Sequence, residues 1–333
     1  MRNGKRTSLA DVAKLAGCSP CTASRAISGN GYVSAKMRGK IAAAAKKSGY
    51  TRSEFVSRAM SSIRESRADI ETVAFVNTKG VRDLSKSYSA IARYVAAARR
   101  QAERTGLKVC DIWLGEKSFT PEKLEKILTA RNIRGGILFG HYYKDSISDG
   151  FKRVLGKFEF VSMGVRANAP VSKSVFMDRF LIARGFTERI IRAGYRRVGF
   201  VVERFADSYE EGKFSGGFLR AQLARKSSHL IPPLFFGRNG KANLKSLAAY
   251  IEKYSPDAVF SYSTDISDAI ESAQLKFAKK PKFFHYDERY YSPETGVIKN
   301  QSQVGKIAVQ TLAELLRGHS LPVSEITIAP KWE

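Results

Sequence analysis

Ser8-Leu9-Ala10-Asp11-Val12-Ala13-Lys14-Leu15-Ala16-Gly17-Cys18-Ser19-Pro20-Cys21-Thr22-Ala23-Ser24-Arg25 is the stretch on which the organisation of this 333-residue chain turns. Leu9, Val12, Ala13 and Ala16 fall at i, i+3, i+4 and i+7, so a helix here carries a single apolar stripe. Ser8 suits its N-cap. Gly17 ends it, and Ser19 suits the cap of a second helix with Pro20 at its first position. That helix runs to about Ile27 and stops in Ser28-Gly29-Asn30-Gly31. Ser34 then caps a third helix with Met37, Ile41 and Ala44 inward, closed by Gly49. Two short helices across a tight glycine turn, backed by a third, make the helix-turn-helix plan. In that plan the second helix enters the major groove of DNA, N-terminal residues first.

The charge agrees with this. The chain has 57 Lys and Arg against 31 Asp and Glu, a net of +26. Residues 1–68 hold 14 Lys or Arg against three acids (Asp11, Glu54 and Glu65), so charge density there is about three times that of the remainder. Such an excess points to a polyanion, with nucleic acid ahead of an anionic membrane surface. A generally cationic proteome is the bland alternative. The residues after Met1 form no apolar signal core, and the longest apolar runs are far too short to cross a bilayer. Three cysteines build no disulfide framework. A cytoplasmic protein without a membrane partner is expected.

The texture changes near residue 70. Short β-branched or aromatic runs at 73–76, 109–113, 136–139, 158–163, 198–202, 258–262 and 282–285 read as buried strands. Helical stretches at 88–105, 121–131, 182–193, 215–224, 244–254 and 303–316 lie between them. This alternation implies a parallel sheet covered on both faces. Residues 53–69, polar and arginine-bearing, are the linker candidate.

Residues 8–17, Thr22-x-Ser24-Arg25, Gly31-Tyr32-Val33-Ser34 and Gly49-Tyr50 together resemble the DNA-binding headpiece of the lactose/galactose-repressor (LacI/GalR) family. The resemblance implies that Pro20, Cys21 and Arg25 face the groove, with Arg25 able to make a bidentate contact to guanine. Ser19, Thr22, Ser24, Tyr32, Ser34 and Arg38 would hold phosphates, which fixes register without reading sequence. The bland alternative is that Thr22, Ser24 and Ser34 are merely caps and surface hydroxyls. The pair Cys18 and Cys21 admits a redox reading at a helix N-terminus, although Cys18 stands where the family has a small core residue. No second ligand pair accompanies them for zinc.

The resemblance continues into a hinge at Ser53, Phe55, Val56, Ala59 and Met60, which in the family pairs with its dimer mate in the minor groove and wedges a leucine between bases. Here Arg52 and Ser53 replace the usual Pro-Asn, and Ala59 stands at the wedge with Met60 beside it. Alanine is too short to unstack bases, so either Met60 wedges or the bend is shallower.

From Thr72 onward Gly135-Gly136-Ile137, Val175-x-x-Asp178, residues 193–200, Gly217-Phe218 and the helix at 302–316 resemble, more loosely, the family's core. The implied fold class is an all-α helix-turn-helix headpiece followed by an α/β two-lobed core like a periplasmic sugar-binding protein, with two doubly wound parallel sheets. The implied division is a headpiece at 1–52, a hinge at 53–70 and an effector-binding and dimerisation domain at 71–333. Within that domain an N-lobe takes about 71–165 and 298–320, and a C-lobe about 166–297 and 321–333. Ligands in such sheets bind beyond the C-terminal strand ends, which nominates Asn77, Tyr88, His141, Arg166, Phe214, Tyr262, Asp265 and Asp287. Phe214 stands where the family usually has arginine, and Thr264-Asp265 where it has Asn-Asp. Arg166 and His141 suit an anionic ligand as well as a sugar.

No Walker loop, GxGxxG after a strand, GxSxG or HExxH is present, and the four histidines are scattered. Adjacent acids such as Glu210-Glu211 diverge rather than converge on one bond. Neither catalysis nor a cofactor or metal is expected. The sequence therefore reads as a homodimeric, sequence-specific repressor of transcription whose partners are duplex operator DNA and a sugar-like effector. A non-specific architectural DNA binder and a solute-binding module with a vestigial headpiece are the alternatives.

Overall fold

A computed structural model describes residues 9–28, 33–48, 50, 71–84, 89–140, 147–166, 170–224, 230–236, 244–261, 280–285 and 292–333. Tyr32, the hinge residues Ser53, Phe55, Val56, Ala59 and Met60, and the nominated ligand residues Tyr88, His141, Tyr262, Asp265 and Asp287 lie outside these. Contacts divide the chain into units of residues 1–69 and 70–333.

In the first unit, α1 (Leu9–Ala16), α2 (Pro20–Ser28) and α3 (Ala35–Ser48) surround a small core. Val12, Ala13, Ala16, Ala23, Ile41 and Ala44 are buried there, with Leu9, Cys18, Ala26, Ile27 and Met37 packed against them. The stripe and its i, i+3, i+4 spacing are thus the inward face of α1. Gly17 takes a left-handed φ of 68° to end it.

In the second unit, β1 (Thr72–Asn77), α4 (Ser89–Arg104), β2 (Lys108–Trp113), α5 (Pro121–Ala130), β3 (Gly135–Phe139), α6 (Asp149–Leu155), β4 (Glu159–Met163) and β5 (Lys173–Met177) come first. Then follow α7 (Arg179–Arg192), β6 (Val198–Glu203), α8 (Arg204–Tyr209), α9 (Lys213–Leu223), β7 (Leu234–Phe236), α10 (Leu244–Tyr254), β8 (Ala258–Ser261), β9 (Lys282–His285), α11 (Gln303–Leu316) and β10 (Glu325–Ile328). They form a six-stranded sheet ordered β10-β5-β4-β3-β1-β2 and a four-stranded sheet ordered β7-β6-β8-β9. All strand pairings described are parallel.

Both sheets are covered on both faces. Val73 and Phe75 of β1 pack under Tyr94 and Ala98 of α4 and Val304 and Leu312 of α11. Ala74 and Val76 face Leu124 and Leu128 of α5 and Val154 of α6. In the second sheet, Phe200 and Val202 meet Phe186 of α7 and Phe218 of α9. Val201 and Val259 meet Leu247 and Ile251 of α10 on the other face. The aromatic centre is tight, with the Phe200 and Phe260 rings stacked 4.4 Å apart.

The lobe boundaries differ from those read in the sequence. The stretches 166–297 and 321–333 were expected in the C-lobe, yet β5 and β10 within them hydrogen-bond into the first sheet, β5 to β4 and β10 to β5. Val175, Met177 and Ile328 add their side chains to that sheet's core, which is what draws these strands to it. Their sequences, Lys-Ser-Val-Phe-Met and Glu-Ile-Thr-Ile, mix polar with apolar residues and were not read as strands.

Close helix packing sets a test of the core. A Cβ on Gly305 would lie 2.1 Å from the Tyr94 carbonyl oxygen of α4, and one on Gly217 would lie 2.3 Å from that of Phe180 in α7. Gly305→Ala and Gly217→Ala are each expected to destabilise the second unit by about 1–3 kcal/mol, because backbone must move to admit the methyl. Gly39→Ala in α3 meets nothing within 4 Å and is expected to stabilise the first unit by about 0.5–1 kcal/mol. Denaturant unfolding of the three variants checks both signs.

Candidate functional site

The start of α2 is built from two hydroxyls. The Thr22 amide donates to Ser19 Oγ at 3.1 Å, and the Ser19 and Thr22 hydroxyls are 2.9 Å apart. At the start of α3 the Met37 amide donates to Ser34 Oγ at 3.4 Å. Capping and phosphate contact are not rivals at Ser34. A hydroxyl that accepts from a backbone N–H still has its own O–H to donate.

Ala23 faces inward on α2, whereas Pro20 and Arg25 are exposed and Thr22 and Ser24 are half-buried. Arg38 is exposed on α3, together with Lys36, Lys40, Lys46 and Lys47. The described part of the headpiece thus pairs a capped helix N-terminus, whose dipole favours anions, with a spread of solvated cations. The Cys21 side chain lies outside the described residues, and Cys18 is half-buried against the headpiece core.

In the second unit the three described ligand candidates have specific occupations. Asn77 ends β1, and its amide organises the loop that follows. Nδ2 donates to the Val81 and Arg82 carbonyls at 3.1 and 3.3 Å, and Oδ1 accepts from the Lys79 amide at 2.9 Å. Asn77 also lines a cavity of about 400 Å³ beside α4 and β2, floored by Phe75, Ile112 and Phe139 and rimmed by Arg82, Arg99 and Asp111. Phe214 is 2% exposed and belongs to the core of the second sheet, so its ring is used for packing. The guanidinium of Arg179 lies 5.9 Å from the centre of that ring.

Arg166 joins the two halves of the core. It sits in the loop after β4, donates through Nη1 to Glu211 beyond α8, and places Nε 2.5 Å from Glu325 of β10. Its carbonyl accepts from the Tyr209 hydroxyl at 2.8 Å. The hydrogen bond from Arg166 holds the Glu211 carboxyl below the usual carboxylate range. Glu211 in turn raises the guanidinium. Burial, seconded by Glu210, pushes the Tyr209 phenol up to about 12.

Deeper, Arg179 at the head of α7 pairs with Glu210 at 3.6 Å, their side chains 5% and 0% exposed. Arg179 Nη2 also donates to the Gly164 carbonyl at 2.7 Å. The adjacent acids Glu210 and Glu211 therefore do diverge, each to its own arginine. Sequence reasoning nominated Arg166 but missed Arg179, Tyr209, Glu210, Glu211 and Glu325. The pairing partners lie far apart in the chain, and no local spacing marks them.

Among the described residues no group of three His, Cys, Asp or Glu could hold a metal ion. No described helix is long and apolar enough to cross a membrane.

Residues 8–53 match the family described as bacterial regulatory proteins, lacI family. The ribose operon repressor of Haemophilus influenzae is 24% identical over 156 residues, which are 43% of this chain and 46% of that protein. The match thus spans less than half the length of that relative. Among solved structures, a transcriptional regulator CelR–cellobiose complex superposes with a TM-score of 0.60 at 19% identity, covering 98% of both chains. The lac repressor dimer bound to operator and the anti-inducer ONPF superposes at 0.54 and 19% identity, covering 98% of this chain and 97% of that one. Residues 8–53 thus match the lacI family over the three-helix headpiece, and the two parallel sheets behind it have the α/β fold of the solved CelR and lac repressor structures.

Proposed function

We propose that this protein is a sequence-specific regulator of transcription, a repressor, that binds operator DNA as a homodimer through its headpieces and answers to a small molecule held between the lobes of its core. The observation that carries the reading is the headpiece itself, with Arg25 solvent-exposed on a helix whose N-terminus is capped by Ser19. Arg25 reads a base edge, with Pro20 and Cys21 beside it on the groove face. Ser19, Thr22, Ser24, Tyr32, Ser34 and Arg38 grip phosphates on either side. The hinge residues Ser53, Phe55, Val56, Ala59 and Met60 carry the movement of the core to the headpieces. A two-fold dimer requires a near-palindromic site. The solved relatives support the two ligands separately, one being bound to cellobiose and the other to operator.

For the core, the proposed ligand region is the set of C-terminal strand ends, where Asn77 and Arg166 stand; Tyr88, His141, Tyr262, Asp265 and Asp287 are proposed with them from the sequence alone. Phe214 contributes from beneath by fixing Arg179. A sugar-like effector is favoured, and it acts only if it binds the two lobe arrangements unequally. The likeness of the two-sheet core to solved regulators supports reading the ligand as bound rather than turned over.

Selection of bound sequences from random DNA is expected to return a shared, two-fold symmetric site, and a pool without any common pattern contradicts the reading. On the selected site, Arg25→Ala is expected to cost about 1–3 kcal/mol and to relax preference at one base position in each half. Fluorescence anisotropy against mismatched sites reads this directly. Arg38→Ala is expected to weaken selected and random DNA alike and to reduce the slope of log affinity against log salt by about one.

A further inference from the structure

The chain leaves the first sheet at Met177 and enters α7 at Arg179, and the ion pairs described above close around this passage. Two features set them apart from ordinary surface pairs. The acids that face the two arginines are consecutive residues, one fully buried and the other 59% exposed at its side chain. Glu211 also has a left-handed φ of 56°, followed by Gly212 at 73°. A non-glycine residue is strained there and persists only where its surroundings hold it.

We propose that Glu210 and Glu211 form a two-part clasp at the junction of the lobes, with Arg179, paired to Glu210 and bonded to the Gly164 carbonyl, as its fixed pivot and Arg166–Glu211 as a releasable strap that sets how readily the lobes part. The pivot is fixed because separating the buried pair would leave a charge uncompensated in the interior. The strap is releasable because Arg166 and Glu211 are 35% and 59% exposed, and such pairs are weak and screened by salt. Opening strands neither charge. Arg166 keeps Glu325 on its own sheet through Nε, and Glu211 keeps Lys213, 4.0 Å away on its own side. The Tyr209 hydroxyl, on the Arg166 carbonyl, runs beside the strap and parts with it. The clasp deepens the proposed regulatory reading by giving lobe movement a residue-level control, but its test reads lobe separation alone and needs neither DNA nor effector.

Spin labels at Lys126→Cys on α5 and Glu252→Cys on α10 report the distance between the lobes in the full-length chain. Cys18 and Cys21 are replaced by serine, Cys110 remains buried, and labelled protein is diluted with unlabelled. Pulsed dipolar spectroscopy at low salt is expected to give one dominant separation. Glu211→Gln is expected to raise the population of a second separation about two- to fivefold, the factor corresponding to a surface ion pair. Wild type in about 0.5 M salt, where charges are screened beyond a few ångströms, is expected to do the same without any substitution in the strap. Glu325→Gln, which spares the strap, is expected to leave the wild-type distribution. A distribution that is unchanged in both Glu211→Gln and high salt overturns the clasp. So does a Glu325→Gln shift as large as that of Glu211→Gln, since loss of any local charge would then suffice.

Discussion

A strand in a parallel sheet cannot reach its neighbour through a tight turn, so the chain must travel the length of the sheet before it pairs again. That constraint explains most of what residues 70–333 contain. Helices cover the faces on the way: α4, α5, α6 and α10 each join strands of one sheet, α8 and α9 join β6 to β7, α7 and α11 pass from one sheet to the other, and β4 reaches its parallel neighbour β5 with no described helix between them. Strands covered on both sides have no solvent face, which is why β1 and β3 run Val73-Ala74-Phe75-Val76 and Ile137-Leu138-Phe139 without a polar residue. The strands also share one direction, so their C-terminal ends collect on one side of each sheet. The loops that follow β1 and β4, with Asn77, Gly164 and Arg166, emerge there.

The headpiece obeys different physics. Its core is a handful of alanines with Val12 and Ile41, which is little apolar area, and much of its order rests on capped helix ends. Hence Ser19 and Ser34 have local structural roles whatever else they touch. The net positive charge tolerated on so small a unit is itself unfavourable to compactness, and a polyanion relieves it.

What the sequence made legible follows the strength of local signals. The three headpiece helices were readable because period and caps agreed at Leu9, Val12, Ala13, Ala16, Ser19 and Ser34. In the core β1, β2, β3, β4, β6, β8 and β9 were readable from short β-branched or aromatic runs. β7 with three residues, and β5 and β10 with Lys173, Ser174, Glu325 and Thr327 among theirs, were not. The short helices Asp149–Leu155 and Arg204–Tyr209 hold too few turns to show a period. The site was legible only by position: Arg166 could be nominated as a residue beyond a strand end, but nothing local tied it to Glu211, 45 residues on. Asn77 and Phe214 were chosen for the same reason, and the structure gives the first a loop to organise and the second a core to fill.

The two halves of the core are unequally placed along the chain, and this orders their assembly. All four strands of the second sheet fall within residues 198–285, while the first sheet draws β1 to β5 from 72–177 and β10 from 325–328. Trp332 then packs against both cores. During synthesis the second sheet and its helices can be complete while the first still lacks α11, the helix that supplies Val304, Ala308, Val309 and Leu312 to its interior. Until those residues leave the ribosome, the face of β1, β3 and β4 that they cover stays open, with more than four-fifths of the polypeptide already made.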